Sequence, residues 1–135
     1  MDQSEFLHFD VTGKIIGALY RVYGKLGAGF PREFYQNALT HELTKDAQVA
    51  SHYPVVMSYE SAIVGEWRAD LVVDHKVIVT IAADERLNSG LETTLLNVLK
   101  ASEFEVGVVV NFGKKLEFRR RVHSHGAGVR RTQAV

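Results

Sequence analysis

Cysteine is absent from the 135 residues, so the chain has no disulfide framework, no thiolate nucleophile and no cysteine-ligated zinc. That absence fits a reducing compartment. No apolar run approaches the ~20 residues of a membrane-spanning helix. Net charge is also missing: sixteen Lys and Arg balance sixteen Asp and Glu. The chain as a whole therefore offers no electrostatic argument for nucleic acid or an anionic membrane surface. Residues 1–10 hold Asp2, Glu5 and Asp10 and no basic segment, which is not the pattern of a signal peptide. The expectation is a cytoplasmic protein. What is present, 46% hydrophobic and 24% charged residues, is the profile of one ordinary globular domain with one core.

Hydrophobic periodicity supplies the elements. Over residues 12–26, Ile15, Ile16, Leu19, Val22, Tyr23 and Leu26 recur at helical spacing, and Thr12 is placed to cap that helix. Gly27-Ala28-Gly29 breaks it, and Pro31 suits the first turn of a second helix carrying Tyr35, Ala38, Leu39 and Leu43. The period then changes. Residues 49–59 and 63–73 read as strands joined by a turn, and Asp74-His75 forms the next turn. Residues 76–82, with Val77, Ile78, Val79 and Ile81, read as a strand covered on both faces and central in the sheet. Asn88 or Ser89 caps a third helix whose apolar face is Leu91, Leu95, Val98 and Leu99. Residues 105–111 form another buried strand. In 116–122, Leu116, Phe118 and Val122 alternate with Glu117, Arg119 and Arg121, as in an edge strand with one wet face. The order is α-α-β-β-β-α-β-β, an α/β domain over residues 1–123 followed by a Gly- and Arg-rich tail, 124–135, that cannot form a core alone.

Particular residues carry a resemblance. They are residues 12–17 (Thr-Gly-Lys-Ile-Ile-Gly), Leu26-Gly27-Ala28-Gly29-Phe30 leading to Tyr35, and the strand Gly65-Glu66-Trp67-Arg68-Ala69-Asp70-Leu71-Val72-Val73. With them go Lys76-Val77-Ile78-Val79, residues 95–100 and residues 106–113. Together they resemble the GxxExxY family of small bacterial proteins, a branch of the PD-(D/E)XK nuclease superfamily, over roughly residues 11–122. The resemblance implies a restriction-endonuclease-like core: a mixed sheet with the first two helices on one side and the third crossing between strands. It also implies a site in which an Asp on one strand and the Glu of a Glu-x-Lys triplet on the next hold a divalent cation, which activates water and neutralises the scissile phosphate. Residues i and i+2 of a strand share a face, so Glu and Lys reach one cleft.

The resemblance places the Asp at Asp70, but it places the Glu and Lys at Thr80 and Ala82. The Glu of the family's own motif falls on Arg32, and the helix that normally offers His and Gln presents Leu91 and Thr94. Only Asp70 keeps its usual type, which points to a pseudoenzyme with no catalytic set and no metal. Arg32 stands where the family has an acid; paired with Asp70, it replaces the cation by a guanidinium, because a buried carboxylate requires compensation.

Two other arrangements remain open at this point. Asp84 lies four residues after Thr80, on the same face if the strand continues that far, so Asp70, Asp84 and Glu85 could form a relocated Mg²⁺ or Mn²⁺ site, with Glu33 as a further acid. His123 and His125 form a His-x-His pair that could bind a transition metal, though exposed histidines at a strand end are the commoner outcome. Trp67 and Tyr59 are aromatics near a hairpin, suited to a sheet face or to an interface anchor. The neutral total divides unevenly: residues 115–135 carry Lys115, Arg119, Arg120, Arg121, Arg130 and Arg131 against Glu117 alone, a balance of +5, leaving −5 on the rest. A body and tail of opposite sign suit docking on another copy of the chain, with Arg119, Arg121, Arg130 and Arg131 as interface candidates. The expectation is a catalytically inactive, homo-oligomeric scaffold or assembly-forming protein; a relocated nuclease and a non-cleaving nucleic-acid-binding module are the alternatives.

Overall fold

A computed structural model describes residues 6–125, so the tail from 126 onward, with Arg130 and Arg131, lies outside the described residues. The elements follow the expected order: α1 (Phe9–Leu26), α2 (Arg32–Leu43), β1 (Val49–Tyr59), β2 (Ala62–Val73), β3 (Val77–Ala82), α3 (Ser89–Ala101), β4 (Val106–Phe112) and β5 (Leu116–Val122). The strands form one mixed sheet in the order β1-β2-β3-β4-β5, with only β3 and β4 parallel. A parallel pair cannot be closed by a tight turn, and α3 is the crossover that joins it. Among the described residues no helix is long and apolar enough to cross a membrane.

Side-chain alternation divides the core in two. Val77, Val79 and Ile81 of β3, with Val106, Val108 and Val110 of β4, pack against Ile15, Leu19, Leu39 and Leu43 of α1 and α2. Ile78 and Val109 point the other way, against Leu95, Val98 and Leu99 of α3. Every residue of β3 and β4 is buried, as their near-continuous apolar sequences require. Tyr35 anchors the turn between α1 and α2: its hydroxyl donates to Gly27 O at 2.5 Å, and its ring stacks on Phe112 at 4.5 Å between centroids. Glu42 of α2 accepts from Arg21 Nε at 2.9 Å and Lys45 Nζ at 3.2 Å, hydrogen bonds that hold its carboxyl below the usual carboxylate range.

Two local expectations are corrected and a third is qualified. Thr12 is no cap: α1 begins at Phe9, and the Thr12 hydroxyl donates to Phe9 O at 3.2 Å from inside the helix. Pro31 stands just before α2, with φ −59°. The polar side of β5 is wet at Arg119 and only partly covered at Glu117 and Arg121. Glu117 accepts from Leu87 N at 2.8 Å, and Arg121 forms an ion pair with Glu92 of α3. Arg120, which breaks the alternation, reaches over the Phe9 ring and donates to Leu7 O at 2.5 Å, where burial lowers its pKa.

Two glycines differ in what a methyl group would meet. A Cβ on Gly113 would lie 2.5 Å from Asp84 O and 2.8 Å from Asn111 Nδ2, whereas one on Gly24 in α1 has nothing within 4 Å. Gly113→Ala should therefore destabilise the protein by about 1–3 kcal/mol in urea unfolding, through overpacking. Gly24→Ala should stabilise it by up to ~1 kcal/mol, the helix-propensity difference.

Candidate functional site

The ladder between β2 and β3 is short. It runs from Val73–Val77 to Leu71–Val79 and stops, although both strands continue. At that point β2 rolls: Leu71 packs into the core under α1 and α2, while Ala69, two residues earlier, packs into the core under α3. Regular alternation would put both on one face. His52, opposite this stretch on β1, has φ 52°, a second mark of the irregularity.

Asp70 occupies the turnover and closes the gap. Its Oδ2 accepts from Ile81 N at 2.7 Å, standing in for the ladder carbonyl that the parting strands withdraw. Its Oδ1 accepts from Arg32 Nη2 in an ion pair, and Arg32 Nε donates to Ile81 O at 2.9 Å. One guanidinium thus grips both the carboxylate of β2 and the backbone of β3. Gln36, one turn along α2 from Arg32, donates from Nε2 to Asp70 O at 3.2 Å. The pairing of Arg32 with Asp70 read from the sequence is the pairing in the structure.

The positions of the family's Glu and Lys are buried and bear no charge. Thr80 and Ala82 are 6% and 8% exposed, and Thr80 Oγ1 makes no hydrogen bond among the described residues. Leu91 packs against the α3-side core with Trp67, whereas Thr94 faces solvent.

The structure does not gather the relocated acids. β3 ends at Ala82, so Asp84 does not continue the face of Thr80. Its backbone is held elsewhere: Asp84 N donates to Asn111 Oδ1 at 2.7 Å, and Asn111 Nδ2 donates to Asp84 O at 3.0 Å. Asp84, Glu85 and Glu33 are all exposed. His123 and His125 do lie together, rings 5.2 Å apart, and burial, then His125 and Lys100, hold His123 below its ordinary pKa. Among the described residues no three His, Asp or Glu side chains are placed to hold a metal ion together. Of the aromatics, Trp67 is half-buried on the α3-side core and Tyr59 is exposed.

A model of the PD-(D/E)XK nuclease superfamily matches residues 9–122, nearly all of the described chain. The chain belongs to the PD-(D/E)XK nuclease superfamily. No curated protein and no solved structure matches it. In that superfamily setting the donor set does not fit a divalent cation. Both oxygens of Asp70 are already engaged, by a guanidinium and an amide, Ala82 has no donor atom, and a threonine hydroxyl brings no charge to the second ligand position.

Two residues of this region were not singled out from sequence. Gln36 was signalled only by its spacing of four from Arg32, and Asn111 by being polar within the apolar run Val106–Phe112, where burial demands a partner. If Arg32 and Asp70 act as one unit, a double-mutant cycle with Arg32→Ala and Asp70→Ala, read by urea unfolding, should give a coupling of about 1 kcal/mol or more. Losses that add to within ~0.4 kcal/mol would show that the two side chains act independently.

Proposed function

We propose that the chain is a GxxExxY-type member of the superfamily whose site has lost catalysis, and that it works as a self-associating scaffold or assembly-forming protein of the bacterial cytoplasm. The observation that carries this reading is the Arg32 guanidinium on Asp70. Water activation at a phosphodiester needs a cation or base beside the scissile phosphate, held by at least two anionic ligands in the usual arrangement. Here the single carboxylate is neutralised by an arginine, and the neighbouring strand offers Thr80 and Ala82. The same residues now serve the fold, because removing either partner would open the seam between β2 and β3.

Self-association has separate support. The charge of the chain divides into +5 over residues 115–135 and −5 over the remainder, and several large apolar side chains stay exposed, among them Val56, Tyr59, Ile63 and Val64. The four arginines first considered for an interface stand differently. Arg121 is consumed by Glu92, Arg119 is exposed, and Arg130 and Arg131, with the docking of the tail, fall outside the described residues. A nucleic-acid reading loses ground for the same reason, since Arg120 and Arg121 are turned to internal partners.

Plasmid, single-stranded DNA and RNA incubated with the protein in Mg²⁺ or Mn²⁺ should remain intact, and light scattering should show a mass above one 15.1 kDa chain. Cleavage that Asp70→Ala abolishes would restore the nuclease reading. A single-chain mass at every concentration would remove the scaffold reading.

A further inference from the structure

β1 and β2 form a hairpin far longer than the rest of the sheet supports. Their ladder runs from Val49–Val73 out to Tyr59–Ala62, while β3 accompanies β2 only from Leu71 to Val73. Residues 62–69 of β2 therefore carry a strand edge with no ladder partner among the described residues, roughly 25 Å at ~3.3 Å per residue. The same arm holds Val56, Tyr59, Ile63 and Val64, each 45–69% exposed.

Open strand edges invite pairing with another chain, and proteins commonly blunt them. The two outer edges of this sheet are blunted. β1 carries Pro54, which has no N–H, and the left-handed residue His52. β5 carries Arg119 and Arg121. The edge of β2 has no proline, and its one irregularity is Val64, the extra residue where the register passes from Met57–Gly65 to Ser58–Ile63, just outside the stretch from Gly65 to Ala69. Its charges are Glu66 and Arg68, both exposed and of opposite sign, flanking Trp67.

We propose that this edge is the interface with a second copy of the chain, formed by antiparallel pairing of β2 with β2 about a two-fold axis at Trp67. The inference rests on the self-association reading and gives it a location. Two-fold antiparallel pairing sets residue 67 opposite itself, Gly65 opposite the partner's Ala69, and Glu66 opposite the partner's Arg68, twice over. Cross-strand pairs of opposite charge stabilise and like pairs destabilise. Centring the pair on Glu66 or on Arg68 instead would oppose identical charges, and centring it on Gly65 would set Glu66 opposite Val64 and Arg68 opposite Ala62, so of these registers the one at Trp67 alone pairs opposite charges. The paired stretch ends at Gly65 and Ala69, before the partner's Leu71, which β3 already pairs; exposed Val64 at its margin loses water, which supplies the non-directional part of the attraction. Arg68 Nη1 now donates to His52 O at 3.0 Å, and its remaining donors are free to reach the partner's Glu66.

The test uses the full chain and sedimentation velocity over a dilution series, with Glu66→Arg, Arg68→Glu, the double reversal, and a mixture of the two single variants. Both residues are exposed, so far-UV circular dichroism should be unchanged. The wild type should dimerise. Each single variant opposes like charges twice and should associate about ten-fold or more weakly. The mixture and the double reversal both restore opposite pairs and should recover the dimer; Val64→Lys, in the same arm, should weaken it without rescue. A wild type that associates while neither reversal weakens it overturns the assignment of this edge and leaves self-association standing. Weakening that the mixture fails to rescue overturns the register. A wild type that stays monomeric throughout overturns self-association and the interface together.

Discussion

The carboxylate of Asp70 is tied at once to a guanidinium on α2 and to a backbone amide on β3, and the arrangement around it follows from that tie. Where the β2–β3 ladder ends, two strands must part without leaving Ile81 N unsatisfied. A short anionic side chain lying in the seam does this, and an anion there demands a positive partner. Arg32 provides the charge and, through Nε, also binds Ile81 O, so α2, β2 and β3 meet at one residue pair. Gln36 adds a further hydrogen bond from the same helix face.

Under the function proposed above, that geometry explains how a nuclease-superfamily scaffold could persist without the superfamily's usual charged set. In the usual site a cation would compensate the Asp carboxylate. An arginine at the position of the family's motif Glu does so here, and it removes the need for a second acid on β3. Thr80 and Ala82 are then free to be small, buried and uncharged. On the proposed loss of catalysis, the identities of Arg32, Thr80 and Ala82 are one physical change: a metal-centred arrangement exchanged for an ion pair that belongs to the fold.

Much of this could be read from the chain. The element order followed from period changes; β1 at Val49–Tyr59 falls where its β-branched and aromatic content placed it, and β5 at Leu116–Val122 where its alternation did. The Arg32–Asp70 pair was legible because a lone buried carboxylate has few compensations available. What escaped was non-local. The end of β3 at Ala82 depends on Asn111 seizing the Asp84 backbone, a contact across 27 positions, and without it the acids at 84 and 85 looked aligned with the strand. The roll of β2 at Asp70 was invisible because alternation assumes a flat strand. The partial cover over the polar side of β5 comes from α3 presenting Glu92 to Arg121, which no local pattern announces. The open edge of β2 likewise exists only because its partner strand leaves after Leu71.

The central claim is that Arg32 has taken the place of a cation on Asp70, and isothermal titration of the wild-type protein with Mn²⁺ tests it most directly. The account predicts no binding heat beyond dilution, because both oxygens of Asp70 are engaged and, among the described residues, no three His, Asp or Glu side chains are grouped to hold a metal ion. Saturable Mn²⁺ binding that Asp70→Asn abolishes would contradict it.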